Sequence, residues 1–357
     1  MPGYPGAGVG EPAENVVHRV SDLIGRTPLL ELCRTAGGTR LLLKLEQFNP
    51  TGSAKIRMAR SMVLAAEREG RLPPGGHIVE STSGNTGLGL AVIAIERGYR
   101  FTAVVDGHAS RDKLRALAAL GANLVYVGGA GDDTPSPTAR EEHAAALAAA
   151  EAGACFFDQH NNPSNAAGYT ALAAELCADL AGDVDYLISS VGTGGSLFGT
   201  ARELRRRGSA VRVIGVEPVG SIVFGGPGGP YWQSGTGTPP GAPIGHTIDY
   251  ALLDEGVKVS DRDAFATARV IGRRIGLLLG GSVGGAVYVA LCRLRDLRPG
   301  ATVVTIACDG GEKYLDTVSN DEWLRAKGLL YPAAERAVAE LLDGYAAEAV
   351  SSAHETR

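Results

Sequence analysis

The stretch HIVESTSGNTGLGLAVIAIERG, His77 to Gly98, decides the fold, because it sets a strand, a loop of small polar residues and a helix in direct succession. HIVE is a short run of strand type, STSGNT offers only hydroxyl, amide and glycine residues, and a helix opens near Asn85. The same unit recurs along the chain. Leu41–Leu45, His77–Glu80, Phe101–Val105, Asn123–Val127, Tyr186–Ser189, Val211–Val216 and Thr302–Ala307 read as strands buried on both faces. Ala54–Glu69, Thr86–Glu96, Arg111–Leu120, Arg140–Ala150 and Ala166–Leu180 read as the helices between them. The alternation predicts an α/β protein with a doubly wound, mostly parallel sheet, whose ligands sit in loops at the carboxyl ends of the strands.

Two of those loops suit anions. Thr82, Ser83, Gly84, Asn85 and Thr86 present hydroxyls and backbone N–H groups at a helix start, which fits a carboxylate or phosphate as well as it fits tight packing. In DYLISSVGTGGSLFG the strand ends at Val191, and Gly192, Thr193, Gly194, Gly195 and Ser196 form a nest for a dianion such as a phosphate ester. GTGGSLFG is not a dinucleotide fingerprint, since its third glycine falls one place late, and no GxxxxGK[ST] loop exists for a nucleoside triphosphate. The third feature is NPTGSAKIRMA, Asn49 to Ala59, where Ser53 is a candidate cap and Lys55 lies in a first helical turn. A solvated surface lysine is the bland reading. Held short of water beside unpaired N–H groups, the amine would instead have a lowered pKa and act as a neutral nucleophile. A nucleophilic lysine, a phosphate nest and a carboxylate nest together point to pyridoxal 5′-phosphate handling an amino acid, with Lys55 holding the aldehyde as a Schiff base.

Composition bounds the rest. With 357 residues the chain can bury a large core in two lobes. A net charge of −5 argues against nucleic-acid and anionic-membrane partners. The five cysteines are scattered and form no CxxC pair, and the histidines show no metal spacing, so no metal is expected and the thiols read as reduced. No apolar run reaches spanning length and the first residues lack signal-peptide character, which gives a cytoplasmic expectation. The organisation read from the sequence is a flexible arm over 1–14, a catalytic region over 15–327 with a smaller lobe near 53–160, and a helical extension over 328–357 whose end frays. Residues 218–245, rich in Gly and Pro, read as a long loop over the site.

The ordered motifs IGRTPLLEL, KLEQFNPTGSAKIR, ESTSGNTGLGLA, VGTGGSLFG, VIGVEP, LLLGGSVGGAV and CDGGEKYLDT make the chain resemble the cysteine synthase family of fold type II (tryptophan-synthase-β-like) pyridoxal-phosphate enzymes, from about Ile24 to Asp316. The resemblance implies two α/β lobes with the cofactor between them. It implies Lys55 as the Schiff-base lysine and general acid–base, and Asn85 at the cofactor's phenolic oxygen. Gly192, Thr193, Gly194, Gly195 and Ser196 would lie at its phosphate and Ser282 at its ring nitrogen. It also implies Thr82, Ser83, Gly84, Thr86 and Gln159 at the substrate carboxylate. The implied chemistry is β-replacement through an aminoacrylate, in a homodimer. The family usually reads KDR where this chain has Lys55, Ile56 and Arg57; the neighbouring side chain points to another face, so the change concerns packing.

VGSIVFGG, the VVD at Val104–Asp106 and YLDTVSNDEWL resemble the branch that makes 2,3-diaminopropionate from O-phosphoserine and an amine donor such as glutamate. Cysteine synthase acting on O-acetylserine with sulfide, and a serine/threonine deaminase-type lyase, are the alternatives. A phosphate leaving group calls for a cation. Val213 to Val257 contains no Lys or Arg, which leaves Arg57, Arg111, Lys113 and Arg115, with His108 and His246 as weaker candidates. Surface charge is the simpler reading for Arg111, Lys113 and Arg115. The apolar spacing of Ala333–Leu342 suits either the dimer interface or packing on its own subunit.

Overall fold

Two sheets organise the chain in a computed structural model that describes residues 16–82, 84–107, 109–128, 137–180 and 182–355. The arm expected over 1–14, Ser83 and His108 lie outside the described residues. In chain order the elements are β1 (Leu29–Arg34), β2 (Arg40–Leu45), α1 (Lys55–Arg68), β3 (His77–Ser81), α2 (Asn85–Arg97), β4 (Arg100–Val105), α3 (Arg111–Ala119), β5 (Asn123–Tyr126), α4 (Pro137–Ala149) and β6 (Ala154–Phe156). There follow α5 (Pro163–Ala167), α6 (Thr170–Asp179), β7 (Tyr186–Ser190), α7 (Gly195–Arg206), β8 (Arg212–Pro218), β9 (Glu255–Val259), α8 (Asp261–Ile275), α9 (Gly281–Arg293), β10 (Thr302–Ala307), α10 (Asp321–Ala326) and α11 (Pro332–Glu355).

The larger sheet has the order β1-β2-β10-β7-β8-β9 and the smaller β5-β4-β3-β6. Only β1 runs antiparallel, pairing with β2. Neighbouring residues of one strand face opposite cores, as a doubly wound sheet requires. Leu42, Leu187, Val213 and Val304 join the core that also holds Met58, Ile78, Leu90 and Phe198. Leu41, Leu43, Ile188, Ile214 and Val303 join a second core with α8, α9 and α11. The first core reaches from one sheet to the other, so the lobes share apolar packing beside the cleft.

Every strand expected from the sequence forms, within a residue or two at its ends. The segment expected as one helix over Ala166–Leu180 is two, α5 and α6. Gly168 lies at the break because α1 passes against it: a Cβ there would meet Met58 Cα at 2.7 Å and Arg57 O at 2.8 Å. Ile56, in the first turn of α1, has no exposed surface and faces the core.

The apolar face of α11 packs on its own subunit. Val338, Leu342 and Tyr345 are buried against α8 and α9, and Glu335 pairs with Arg269 and Arg273. That side of Ala333–Leu342 is therefore not available as a dimer contact. The helix also continues to Glu355, past the expected fraying point.

Between β8 and β9 the chain runs without regular elements yet is fastened. The buried carboxylate of Glu217 accepts from the N–H groups of Val223 (2.9 Å) and Phe224 (3.0 Å) and from the Ser221 hydroxyl, and it pairs with Lys258. Further along, Thr238 N–H donates to Ser221 Oγ at 2.9 Å and Thr236 Oγ1 to the Val191 carbonyl at 2.8 Å.

Candidate active site

Lys55 opens α1, but Ser53 does not cap that helix. The cap residue is Ala54, in helical conformation, and the Ser53 hydroxyl is buried without a partner. The helix start is tied by backbone instead: Ala54 N–H donates to the Cys308 carbonyl at 2.8 Å, and Ser53 bridges Asp309. Lys55 thus stands at the carboxyl end of β10, against the larger sheet. Desolvation lowers its pKa, while Cys308, Asp309 and Glu80 pull the other way. The Cys308 thiol beside it is pushed up to about 11 by burial, and it reaches the hydroxyl of Ser196.

Ser196 belongs to the glycine nest. Beyond β7 the chain turns through Gly192, Thr193 and Gly194, and α7 begins at Gly195 with no side-chain cap. Its first N–H groups therefore remain for an anion. Gly195 must be glycine, since a Cβ there would lie 1.9 Å from Asn165 Oδ1. Asn165 Nδ2 donates to Thr193 Oγ1 (3.0 Å) and to the Gln159 carbonyl (2.7 Å), which couples the nest to the turn after β6.

That turn meets the second loop. Thr86 donates its hydroxyl to Gln159 Oε1, and Gln159 Nε2 donates to the Ser81 carbonyl. Thr82 shapes the loop, its Oγ1 accepting from the N–H groups of Gly84 and Gly87 at 3.0 Å each. Gly84 heads α2 at φ 134° without a side-chain cap, above the stem of Lys113; a Cβ there would fall 2.4 Å from Lys113 Cδ. Ser282 sits buried in the first turn of α9, and its carbonyl accepts from the Ser190 hydroxyl, just before the nest. Hydrogen bonds thus link Thr86 and Gln159 to the nest through Asn165, Ser282 to the strand that leads into the nest, and Asn85 to Asp309, which the segment before Lys55 bridges.

The basic candidates separate sharply. Arg57 is locked in the interior, its guanidinium bonded at 2.6–2.8 Å to both Glu46 and Glu175. Arg111, Arg115 and His246 are exposed. Lys113 is not a surface charge. It is buried, its amine 3.1 Å from the Tyr314 hydroxyl and 4.4 Å from that ring's centre, with its pKa lowered by desolvation.

Residue-by-residue reading missed Asp309, Lys313 and Tyr314, although all three fall in the quoted CDGGEKYLDT. Asp309 Oδ2 accepts from Asn85 Nδ2 (2.8 Å) and Tyr314 OH (2.6 Å); its Oδ1 is buried with no partner. Lys313 Nζ donates to Asn85 Oδ1 at 2.9 Å. The available signal was a charged cluster directly after a strand buried along its whole length. His160 was also missed; desolvation, then the charge of Lys55, hold its pKa near about 4.

These residues fit pyridoxal 5′-phosphate. Lys55 opens α1 beside β10, the glycine cradle has no room for a Cβ and leads into a helix start without a side-chain cap, and α2 starts just after Gly84, where Thr82 takes only part of the free N–H groups. Lys55 would hold the aldehyde, residues 192–196 the phosphate, and Asn85 and Ser282 the ring. Among the described residues no group of His, Cys, Asp or Glu is arranged to hold a metal ion, and no helix is long and apolar enough to cross a membrane.

Comparison with known proteins agrees. The profile described as pyridoxal-phosphate dependent enzyme matches residues 20–309. A protein of Sinorhizobium fredii, provisionally named a cysteine synthase, is 52% identical over 91% of this chain and 96% of its own length. N-(2-amino-2-carboxyethyl)-L-glutamate synthase of Ralstonia nicotianae is 37% identical over 87% of this chain and 91% of its own. The crystal structure of cysteine synthase from Entamoeba histolytica superposes with a TM-score of 0.80 at 30% identity, covering 95% of this chain and 99% of that one. The matched span holds Lys55, both glycine loops and Ser282, and the chain belongs to the pyridoxal-phosphate dependent enzymes, among the fold type II relatives of cysteine synthase.

Proposed function

We propose that the chain catalyses β-replacement on an O-activated L-serine, with O-phosphoserine as donor and an amine such as glutamate as nucleophile, giving a 2,3-diaminopropionate precursor. The observation that carries the reaction class is Lys55, whose pKa desolvation lowers, in company with two helix starts, one suited to a phosphate and one, at α2, whose N–H groups left free by Thr82 suit a carboxylate. The substrate carboxylate would lie at the α2 start, where Gln159 keeps one amide N–H beyond its bond to Ser81. Ser83 is proposed to add to that loop. Lys55 then takes the α-proton and returns it once the new bond has formed. When bound, pyridoxal 5′-phosphate supplies the electron sink for the pair left at the α-carbon. In the net reaction the Cβ–O bond breaks, the Cβ–N bond forms, and the amine gives up a proton as phosphate departs.

The amine donor is supported by the similarity to the glutamate-using synthase of Ralstonia nicotianae. A phosphate leaving group is supported by the buried amine of Lys113 under the substrate loop. Sulfide as nucleophile is the second reading, favoured by the relative provisionally named a cysteine synthase. The test offers the purified enzyme O-phosphoserine or O-acetylserine, each with glutamate or sulfide, and identifies products by mass spectrometry. A glutamate adduct from O-phosphoserine supports the proposal. Cysteine from O-acetylserine, with no adduct, establishes the second reading, and a keto acid without nucleophile reveals a lyase. The functional unit is proposed to be a homodimer, as the family resemblance implies, through a face other than that of α11.

A further inference from the structure

We propose that Lys313 and Asp309 are a positioning pair that fixes the side-chain amide of Asn85 in one of its two orientations, presenting its nitrogen rather than its oxygen to the cofactor. The inference rests on Asn85 lying at the cofactor and is independent of which substrate the enzyme uses.

An asparagine amide is nearly symmetric in shape, so packing alone does not choose between its two flips; hydrogen-bond partners do. At Asn85 those partners are of opposite kinds. Lys313 can only donate, and it lies 2.9 Å from Oδ1. Asp309 accepts at 2.8 Å from Nδ2. Flipping the amide would set its N–H groups against an ammonium and its oxygen against a carboxylate, turning two charge-assisted bonds into two repulsions. The Tyr314 hydroxyl donates to Asp309 and also stands near Asn85.

Lys313 is held for this task. Its amine donates to the carbonyls of Thr51 (2.8 Å) and Gly52 (3.0 Å) as well as to Asn85, which uses all three of its N–H bonds. No donor is left over for a leaving group, so Lys313 acts through Asn85 and through the loop that precedes Lys55. An oxygen-directed Asn85 would face the electron-rich phenolic oxygen of the cofactor with a lone pair, whereas the nitrogen-directed form donates to it.

A double-mutant cycle on the full-length chain separates the amide role from the loop role. After the cofactor is stripped, each variant is titrated with pyridoxal 5′-phosphate; the dissociation constant, the absorption maximum of the bound cofactor and the melting midpoint are recorded. Lys313→Met should weaken binding about tenfold and shift the absorption maximum, while Lys313→Arg, which keeps a donor, should stay within about threefold. In an Asn85→Ala background Lys313→Met should cost less than about twofold more, because the amide it orients is gone. A full loss persisting in that background would assign Lys313 to the Thr51–Gly52 loop alone and overturn the proposal, as would unchanged binding in Lys313→Met. If Asn85→Ala by itself leaves cofactor binding intact, the placement of Asn85 at the cofactor fails first and the pair falls with it.

Discussion

Thr86 donates its hydroxyl to Gln159 Oε1 across 2.7 Å, and this bond joins the first turn of α2 to the turn that follows β6. The two residues lie far apart in sequence, yet each fixes the rotamer of the other. Removing the amide leaves the Thr86 hydroxyl without its acceptor and takes away an N–H aimed at the loop. Gln159→Ala should therefore raise the KM for the amino-acid donor about tenfold, with cofactor affinity unchanged. Steady-state kinetics beside a cofactor titration would show it, and an unchanged KM would remove Gln159 from the substrate site.

Lys55→Ala should abolish turnover while the glycine nest still binds cofactor more weakly. Borohydride treatment of the wild type, followed by peptide mass spectrometry, should place the cofactor's mass on the peptide that holds Lys55 and nowhere in the variant. An adduct on Lys113 or Lys313 in the borohydride-treated wild type would move the site.

Gly195 has Asn165 Oδ1 where a side chain would begin. Gly195→Ala should cost about 1–3 kcal/mol by overpacking and weaken cofactor binding, because Asn165 must leave Thr193 to make room. Thermal melting and cofactor titration test the two effects separately. If both stay at wild-type values, the close approach is not obligatory.

Arg57 neutralises Glu46, which has no exposed surface; desolvation would lower the guanidinium's pKa, and its bonds to Glu46 and Glu175 outweigh that and raise it. Arg57→Met leaves Glu46 buried and uncompensated, for an expected loss of about 3–5 kcal/mol. Urea unfolding would read this as a lower midpoint. Arg57→Lys should recover only part of it, since an ammonium cannot span both carboxylates in the plane of a guanidinium.

Glu141 provides a pH test. Burial, with the nearby charge of Asp158, raises its pKa from 4.5 to about 6. A carboxyl whose folded pKa exceeds its unfolded value contributes stability that is fully present below the unfolded value and is lost as pH rises through the folded one. The stability difference between wild type and Glu141→Gln should thus shift in favour of wild type as pH falls from about 6 to 4.5, by no more than about 1 kcal/mol, because the carboxyl is partly exposed and water screens it. Denaturant melts at four pH values in that window would measure it; a difference that does not vary with pH refutes the raised pKa.

The sequence exposed the βα units because strands such as Thr302–Ala307 are buried on both faces and so read as uninterrupted apolar runs. It left out β1 and β9, whose residues are mostly half-buried or exposed at the two edges of the larger sheet, and β6, only three residues long. The glycine loops were legible because their function depends on backbone geometry, which small residues announce. Lys113 was misread as surface charge because α3 carries Arg111 and Arg115 on its exposed side, and only the fold shows its stem running beneath Gly84. Asp309 and Lys313 were illegible as site residues for a related reason. Their significance lies in facing Asn85 from more than two hundred residues away, a relation that no local pattern encodes.

The segment after β8 is held by pins rather than by regular structure: Glu217 at its start, Ser221 and Val191 along its course, Asp261 at Trp232. Stretches between pins carry no ladder whose register a substitution could break. Gene duplication followed by drift in those stretches could retune which acceptor is admitted while the lysine, the nests and both sheets stay untouched. On the proposed reaction, such drift would change what meets the segment's surface without rebuilding the sheets that position Lys55.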